Sequence, residues 1–343
     1  ALALALAVAT IVAIRRGLGA VVTTTQRMRR FDFARGGAAT AFREVREVTD
    51  GLERAKTVVR AMERYVPLGL VRRLYQENEE PRLGGELHEV TLLFTDIEGF
   101  TSLSERLPPA ELARRLGEYL EVMTRAVEAT EGTIDKYIGD AVMAFWNAPS
   151  PVEHHARRAC EAVLACRRAA KALYDSPAWG GLAPLVTRHG VHTAKVMVGH
   201  FGAPTRLAYT ALGDGVNLAA RLESLCKHYG VLSLVSDDAR AAAGDAFVFR
   251  RIDRVAVKGK TRGVDVFELL GDRGDDALKV DDARAYERAF EAYLERRFER
   301  AIELLGPQVD RDRPSAVLLA RCEALRAAPP PEGWDGVHVA SSK

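Results

Sequence analysis

Between residues 89 and 270, apolar strand-like runs alternate with amphipathic helical runs, and this pattern limits the fold more than any other part of the chain. Residues 90–95 form an apolar run that ends at Asp96. Residues 109–130 carry a helical pattern opening on Pro109, a residue tolerated in a first helical turn. Two short strands, 133–137 and 141–146, flank Gly139-Asp140; a helix over 154–174 and a strand over 186–192 follow. The order β-α-β-β-α-β is the ferredoxin-like plan, so an α+β fold is expected. Beyond it the pattern predicts a strand near 207–210, a helix over 216–227, and a terminal hairpin over 255–258 and 264–269.

The flanks read differently. Residues 1–14 are all Ala, Leu, Val, Ile and Thr and stop at Arg15-Arg16, followed by Arg27, Arg29 and Arg30. A span needs roughly 20 apolar residues. The run therefore reads as the C-terminal part of a transmembrane helix, and the basic residues after it place the remainder in the cytoplasm. A secretory signal would carry its basic residues before the apolar run. After Gly36-Gly37, small or apolar residues recur at Ala41, Val45, Val48, Leu52, Ala55, Val59, Met62 and Val66, in alternating steps of four and three. That is a heptad seam, and residues 15–66 are expected to form a coiled-coil linker; a single amphipathic helix on its own domain is the alternative. Residues 67–88, with Pro67, Pro81 and Gly84-Gly85, read as a short helix and linker. From Asp282, Tyr286, Ala289, Phe290, Tyr293, Phe298, Ala301 and Leu304 are spaced like tetratricopeptide half-repeats, so residues 271–343 are expected to be a helical extension and tail.

Composition excludes some roles. Lys and Arg total 49 against 47 Asp and Glu, so the chain lacks the basic excess of a nucleic-acid-binding protein. Its four cysteines show no Cys-x-x-Cys pair, which argues against a zinc site and for reduced thiols.

Four stretches carry chemistry. Asp96, at the end of an apolar strand before Gly99, sits where a carboxylate is rigidly mounted; taken alone it is more often a turn former. Asp140 lies at a hairpin turn that the fold can bring toward Asp96, and two facing carboxylates repel unless cations intervene. Asn217 and Arg221 are four apart on one helix face, with the planar Arg fork suited to phosphoryl oxygens. Lys258, in Val257-Lys258-Gly259-Lys260, is a basic turn that could meet a phosphate.

Together, in this order, these stretches resemble the class III nucleotidyl cyclase catalytic domain over about residues 89–270. The resemblance implies that Asp96 and Asp140 bind two Mg²⁺ ions, with Mn²⁺ able to substitute, and that Ile97 lends a backbone carbonyl. It implies that Lys136 and Thr210 read the base, Asn217 orients the ribose, Arg221 stabilises charge on the α-phosphate and Lys258 holds the terminal phosphates. Many adenylyl cyclases carry Asp at the place of Thr210; the Lys and Thr pair resembles a bacterial branch that prefers ATP. Lys donates only, suiting an acceptor nitrogen of adenine, and Thr can accept from the exocyclic amine. In this family the site is shared between protomers, so a homodimer is implied, and the heptad segment resembles HAMP and signalling-helix linkers of membrane receptors. The expected activity is an adenylate cyclase. A guanylyl cyclase and a catalytically inactive dimerisation or sensor module are the alternatives; the Gly-Gly-Asp/Glu-Glu-Phe signature of diguanylate cyclases is absent.

Overall fold

In a computed structural model the described residues are 1–36, 42–62, 65–77, 80–179, 186–256, 263–274 and 280–338. They form two compact units, residues 1–81 and 82–343.

In the first unit, α1 (Leu2–Arg29) does not stop at Arg15-Arg16 but runs on for 28 residues. By length and composition it is apolar enough to cross a membrane. Helix α2 (Arg43–Met62) packs on α1, and α3 (Leu68–Glu77) follows. Of the heptad positions, Val45, Leu52 and Val59 are half-buried, whereas Val48 and Met62 are more than half exposed. The residues of α2 buried within one copy are Thr49 and Lys56, which lie off that seam. Lys56 is paired with Glu53, and this charge pairing makes its burial tolerable. The buried residues of α2 are thus polar, and part of its apolar seam is exposed.

The second unit is built on an eight-stranded sheet. Strand β1 (Gly84–Ile97) leads through α4 (Phe100–Arg106) and α5 (Pro109–Glu128) to the hairpin β2 (Thr133–Ile138) and β3 (Ala141–Trp146). Helix α6 (His155–Tyr174) then returns to the long β4 (Thr187–Ala203). The antiparallel order β2-β3-β1-β4 is the expected ferredoxin-like core. After it come β5 (Arg206–Leu212), α7 (Asp214–Tyr229), β6 (Ser233–Ser236), α8 (Asp237–Ala243), β7 (Phe247–Val255) and β8 (Val264–Asp272). Strand β5 pairs with β4, while β6, β8 and β7 continue the main sheet.

Three elements differ from expectation. Gly84-Gly85 is no linker: β1 pairs with β4 from Gly84 onward. A Cβ on Gly85 would lie 2.7 Å from Val198 O, and one on Gly199 would lie 2.3 Å from Gly84 O. The glycines are therefore required for close approach of two backbones rather than for flexibility. Strand β6 is a four-residue buried strand, too short for a periodicity reading to separate from a loop. Strand β7 begins at Phe247, eight residues before the predicted hairpin strand; its Arg250, Arg251 and Arg254 break the apolar pattern but pair with Glu268, Asp265 and Asp312.

Helices α9 (Val280–Leu294), α10 (Phe298–Leu305) and α11 (Arg313–Ala327) complete the unit. Tyr286, Phe290, Tyr293, Leu305 and Leu318 share one buried cluster with Leu222, Leu225, Cys226 and Tyr229 of α7. At about 2 kcal/mol per buried large side chain, those five residues contribute on the order of 10 kcal/mol, comparable to the net stability of a whole domain. The extension is thus continuous with the core beneath α7. Cys160, Cys166, Cys226 and Cys322 are all buried free thiols.

Candidate active site

Asp96 is the penultimate residue of β1, and Asp140 follows Gly139, whose φ of 65° makes the tight β2–β3 turn. The turn is tied to β1 twice. Ile97 N donates to Asp140 Oδ2 at 2.9 Å, and Val142 N donates to Thr95 Oγ1 at 3.1 Å. The two aspartates and Ile97, distant in sequence, therefore meet at one corner of the sheet. Burial, with the Asp96 carboxylate beside it, pushes the Asp140 carboxyl above its usual range.

Two further charges, not anticipated from the sequence, complete this corner. Arg188 on β4 donates from Nη2 to Asp96 Oδ2 at 2.5 Å and from Nε to Glu223 Oε1 at 3.1 Å. Glu223 projects from α7, and burial together with Asp96 raises its carboxyl above the usual range. Close packing makes this link possible: a Cβ on Gly190 would lie 2.3 Å from Ala219 O and from Glu223 N, so only glycine lets α7 approach β4 here. The available signals were an Arg inside the strand predicted over 186–192 and the acidic end of the Asn217 to Glu223 stretch.

With Asp140 beside Asp96, the Asp96, Arg188 and Glu223 group leaves an excess of negative charge. Among the described residues no group of three or more His, Cys, Asp or Glu forms a ready metal cage. The donor set fits a hard divalent ion such as Mg²⁺, which is characteristically held by one or two carboxylates, with water and substrate phosphates completing the shell.

A second cluster lies in the middle of β2. Lys136 Nζ donates to Thr210 Oγ1 at 3.1 Å, bringing together the two residues expected to read the base. Thr210 Oγ1 in turn donates to Asp135 Oδ2 at 2.5 Å. Asp135 Oδ1 lies 3.3 Å from Lys136 Nζ as an ion pair. Asp135 was not singled out from sequence, where it is simply the neighbour of Lys136.

Helix α7 starts at Gly213, φ 143°, and carries Asn217 and Arg221. Asn217 is exposed and Arg221 half-buried. At 3.6 residues per turn, Arg221 and Glu223 stand about 160° apart around the helix. Arg221 thus points away from the side of α7 that reaches Arg188 and Asp96. Lys258 falls outside the described residues.

An exposed apolar row runs across the sheet near these groups. Leu87 pairs with Met197 and Met197 with Leu212, and all three are exposed, as are Tyr137 and Ile138 at the end of β2.

Comparison with known proteins places the chain in a family. The family described as adenylate and guanylate cyclase catalytic domain matches residues 85–271. Over 259 residues, 75% of its length, the chain is 34% identical to adenylate cyclase 1 of Rhizobium meliloti and covers 39% of that protein. Over 244 residues, 68% of its length, it is 31% identical to an adenylate cyclase of Anabaena cylindrica and covers 48% of that protein. The crystal structure of the adenylyl cyclase CyaB from P. aeruginosa matches with a TM-score of 0.52 at 36% identity, over 56% of this chain and 99% of that one. The chain spans less than half the length of these two curated relatives. With more than half of its residues inside the matched region, the chain belongs to the adenylate and guanylate cyclase catalytic domain family.

Proposed function

We propose that the chain is an adenylate cyclase that converts ATP to 3′,5′-cyclic AMP and pyrophosphate at a site shared by two copies. The observation that carries this reading is the corner where Asp140 is held beside Asp96 by the Ile97 N–H. Asp96, Asp140 and the Ile97 carbonyl would hold two Mg²⁺ or Mn²⁺ ions. Such ions supply Lewis acidity at the 3′-hydroxyl and neutralise the triphosphate.

The chain's own residues do the positioning. Lys136 and Thr210 receive the adenine ring, Asn217 orients the ribose and Lys258 holds the terminal phosphates. Arg221 stabilises the charge that develops on the α-phosphate as the 3′-oxygen bonds to phosphorus, the bond to pyrophosphate breaks and the 3′-hydroxyl proton leaves to solvent. Because Arg221 points away from its own chain's carboxylate corner, a second copy is the natural source of the arginine for each metal pair. The apolar row of Leu87, Met197 and Leu212 supports a homodimer face. In this reading α1 tethers the chain to a membrane with the catalytic unit in the cytoplasm, and α2 continues the dimer as a HAMP-like coiled coil.

The test is cyclic nucleotide production by the full chain with ATP or GTP and Mg²⁺ or Mn²⁺, beside Asp140→Ala. Cyclic AMP lost in the variant supports the proposal. A folded dimer that makes no product under any condition points to a dimerisation module, and cyclic GMP from the wild type points to a guanylyl cyclase.

A further inference from the structure

Asp135 occupies an irregular position in β2. Ile134 pairs with Ala144 and Lys136 with Met143, so the register shifts by one residue and Asp135 is the extra residue of a bulge. In a regular strand, neighbours such as Asp135 and Lys136 point to opposite faces. The bulge re-aims them, and both converge on Thr210. The Asp135 side chain is 1% exposed, while that of Lys136 is 43% exposed. Thr210 is also buried, at 5%. Asp135 therefore lies behind the pair, out of reach of a nucleotide, and acts on the base through Thr210.

The hydrogen-bond directions give this carboxylate a task. A hydroxyl has one proton to donate and lone pairs to accept with. Thr210 spends its proton on Asp135 Oδ2, and the Ala211 N–H also bonds to the Asp135 carboxylate. We infer that Asp135 sets the nucleotide preference of this site, by committing the Thr210 proton and leaving Thr210 Oγ1 to present only an acceptor to the base. The inference rests on the cyclase reading above. An acceptor at that point pairs with the exocyclic amine of adenine. It repels the carbonyl that guanine carries in the same place, so discrimination comes from a repulsive contact as well as an attractive one. Without Asp135 a threonine can rotate its hydroxyl and donate to guanine, and Thr210 alone would be a poor filter.

The experiment measures kcat/KM for ATP and for GTP on the same preparation of full-length wild type, Asp135→Asn, Thr210→Val and the double variant. Asparagine keeps an acceptor for the Ala211 N–H and turns its amide toward Thr210, releasing the threonine proton. The ATP to GTP ratio is expected to fall about tenfold or more in Asp135→Asn, the scale of one mispaired buried hydrogen bond. In the Thr210→Val background the same change is expected to shift the ratio much less, since only the ion pair of Asp135 with Lys136 is then left to lose. A ratio taken on one preparation does not depend on the fraction of protein that is folded. If Asp135→Asn has no turnover, the ratio of dissociation constants for non-cyclisable ATP and GTP analogues is read instead, with the same expectation. A selective wild type whose ratio survives Asp135→Asn, or a second effect of equal size in the Thr210→Val background, overturns the inference and leaves the cyclase reading standing. A wild type that turns over neither nucleotide overturns both.

Discussion

Asp135 and Asp140 stand five residues apart on one hairpin, and burial raises both carboxyls, yet their surroundings answer that cost in different ways. Around Asp135 the charges balance: one carboxylate meets one ammonium, and the Thr210 hydroxyl and Ala211 N–H supply further hydrogen bonds. Around Asp140 they do not, because Asp140 stands beside Asp96, and Asp96 and Glu223 share the guanidinium of Arg188. A balanced buried cluster can orient neighbours but gains little from an added ion. An acidic corner with a charge deficit gains a great deal from one. In the proposed function the difference separates a cluster that selects from a corner that binds metal, although Asp135 and Asp140 belong to one hairpin.

The largest effect expected from breaking this contrast is at Asp140. Asp140→Ala is expected to lower cyclic AMP formation at least about a thousandfold, ~4 kcal/mol of transition-state stabilisation, with the nucleotide preference of any residual activity unchanged. A residual rate above a tenth of wild type would contradict the role given to the corner.

Next is Arg188→Leu, which leaves Glu223 and Asp96 without their cation. Loss of one partner from a buried pair costs about 3–5 kcal/mol; with Asp96 one-third exposed, the lower part of that range is expected, seen as a fall in Tm. Added Mg²⁺ or Mn²⁺ should restore part of it by binding the folded state. The ions should do nothing for Thr210→Val, whose damage lies in the balanced cluster. Thr210→Val itself is expected to reduce the preference for ATP over GTP about tenfold, ~1.4 kcal/mol, in paired kcat/KM measurements.

The smallest effect is in the pH dependence of stability. Both folded-state carboxyls titrate above their ordinary value, so the fold favours their protonated forms. Their contribution is fully present below the ordinary carboxylate pKa and is lost as pH rises through the raised values. Asp135→Asn and Asp140→Asn should each flatten that decline in denaturation midpoints taken across the weakly acidic range. Divalent metal favours ionised Asp140 and should flatten its share only, leaving that of Asp135. Equal flattening of both by metal would erase the distinction drawn between the two regions.

The ferredoxin-like order and the meeting of Asp96 with Asp140 were legible because they rest on local signals: apolar runs, a glycine turn and acidic residues at strand ends. Lys136 and Thr210 were legible only through family resemblance, since neither stands out by spacing. Asp135, Arg188 and Glu223 were not read as site residues because their roles depend on events the sequence does not display locally. A one-residue bulge turns Asp135 toward Thr210, and a glycine at position 190 lets α7 come close enough for Glu223 to reach Arg188. The Gly84-Gly85 pair misled for the same reason: glycines that permit two strands to touch look, in sequence, like a flexible connection.

In the proposed function each site takes its carboxylate corner from one copy and its arginine from the other. Mixing Asp140→Ala chains with Arg221→Ala chains, each inactive alone, tests it most directly. If the halves come from different copies, a mixed dimer carries one site with both defects and one intact site. With random pairing, half of the dimers are mixed and about a quarter of wild-type cyclic AMP production should return. If both residues serve the site of their own chain, no mixed dimer holds an intact site, and production that stays at the level of the separate variants, in dimers shown to exchange, would contradict the account.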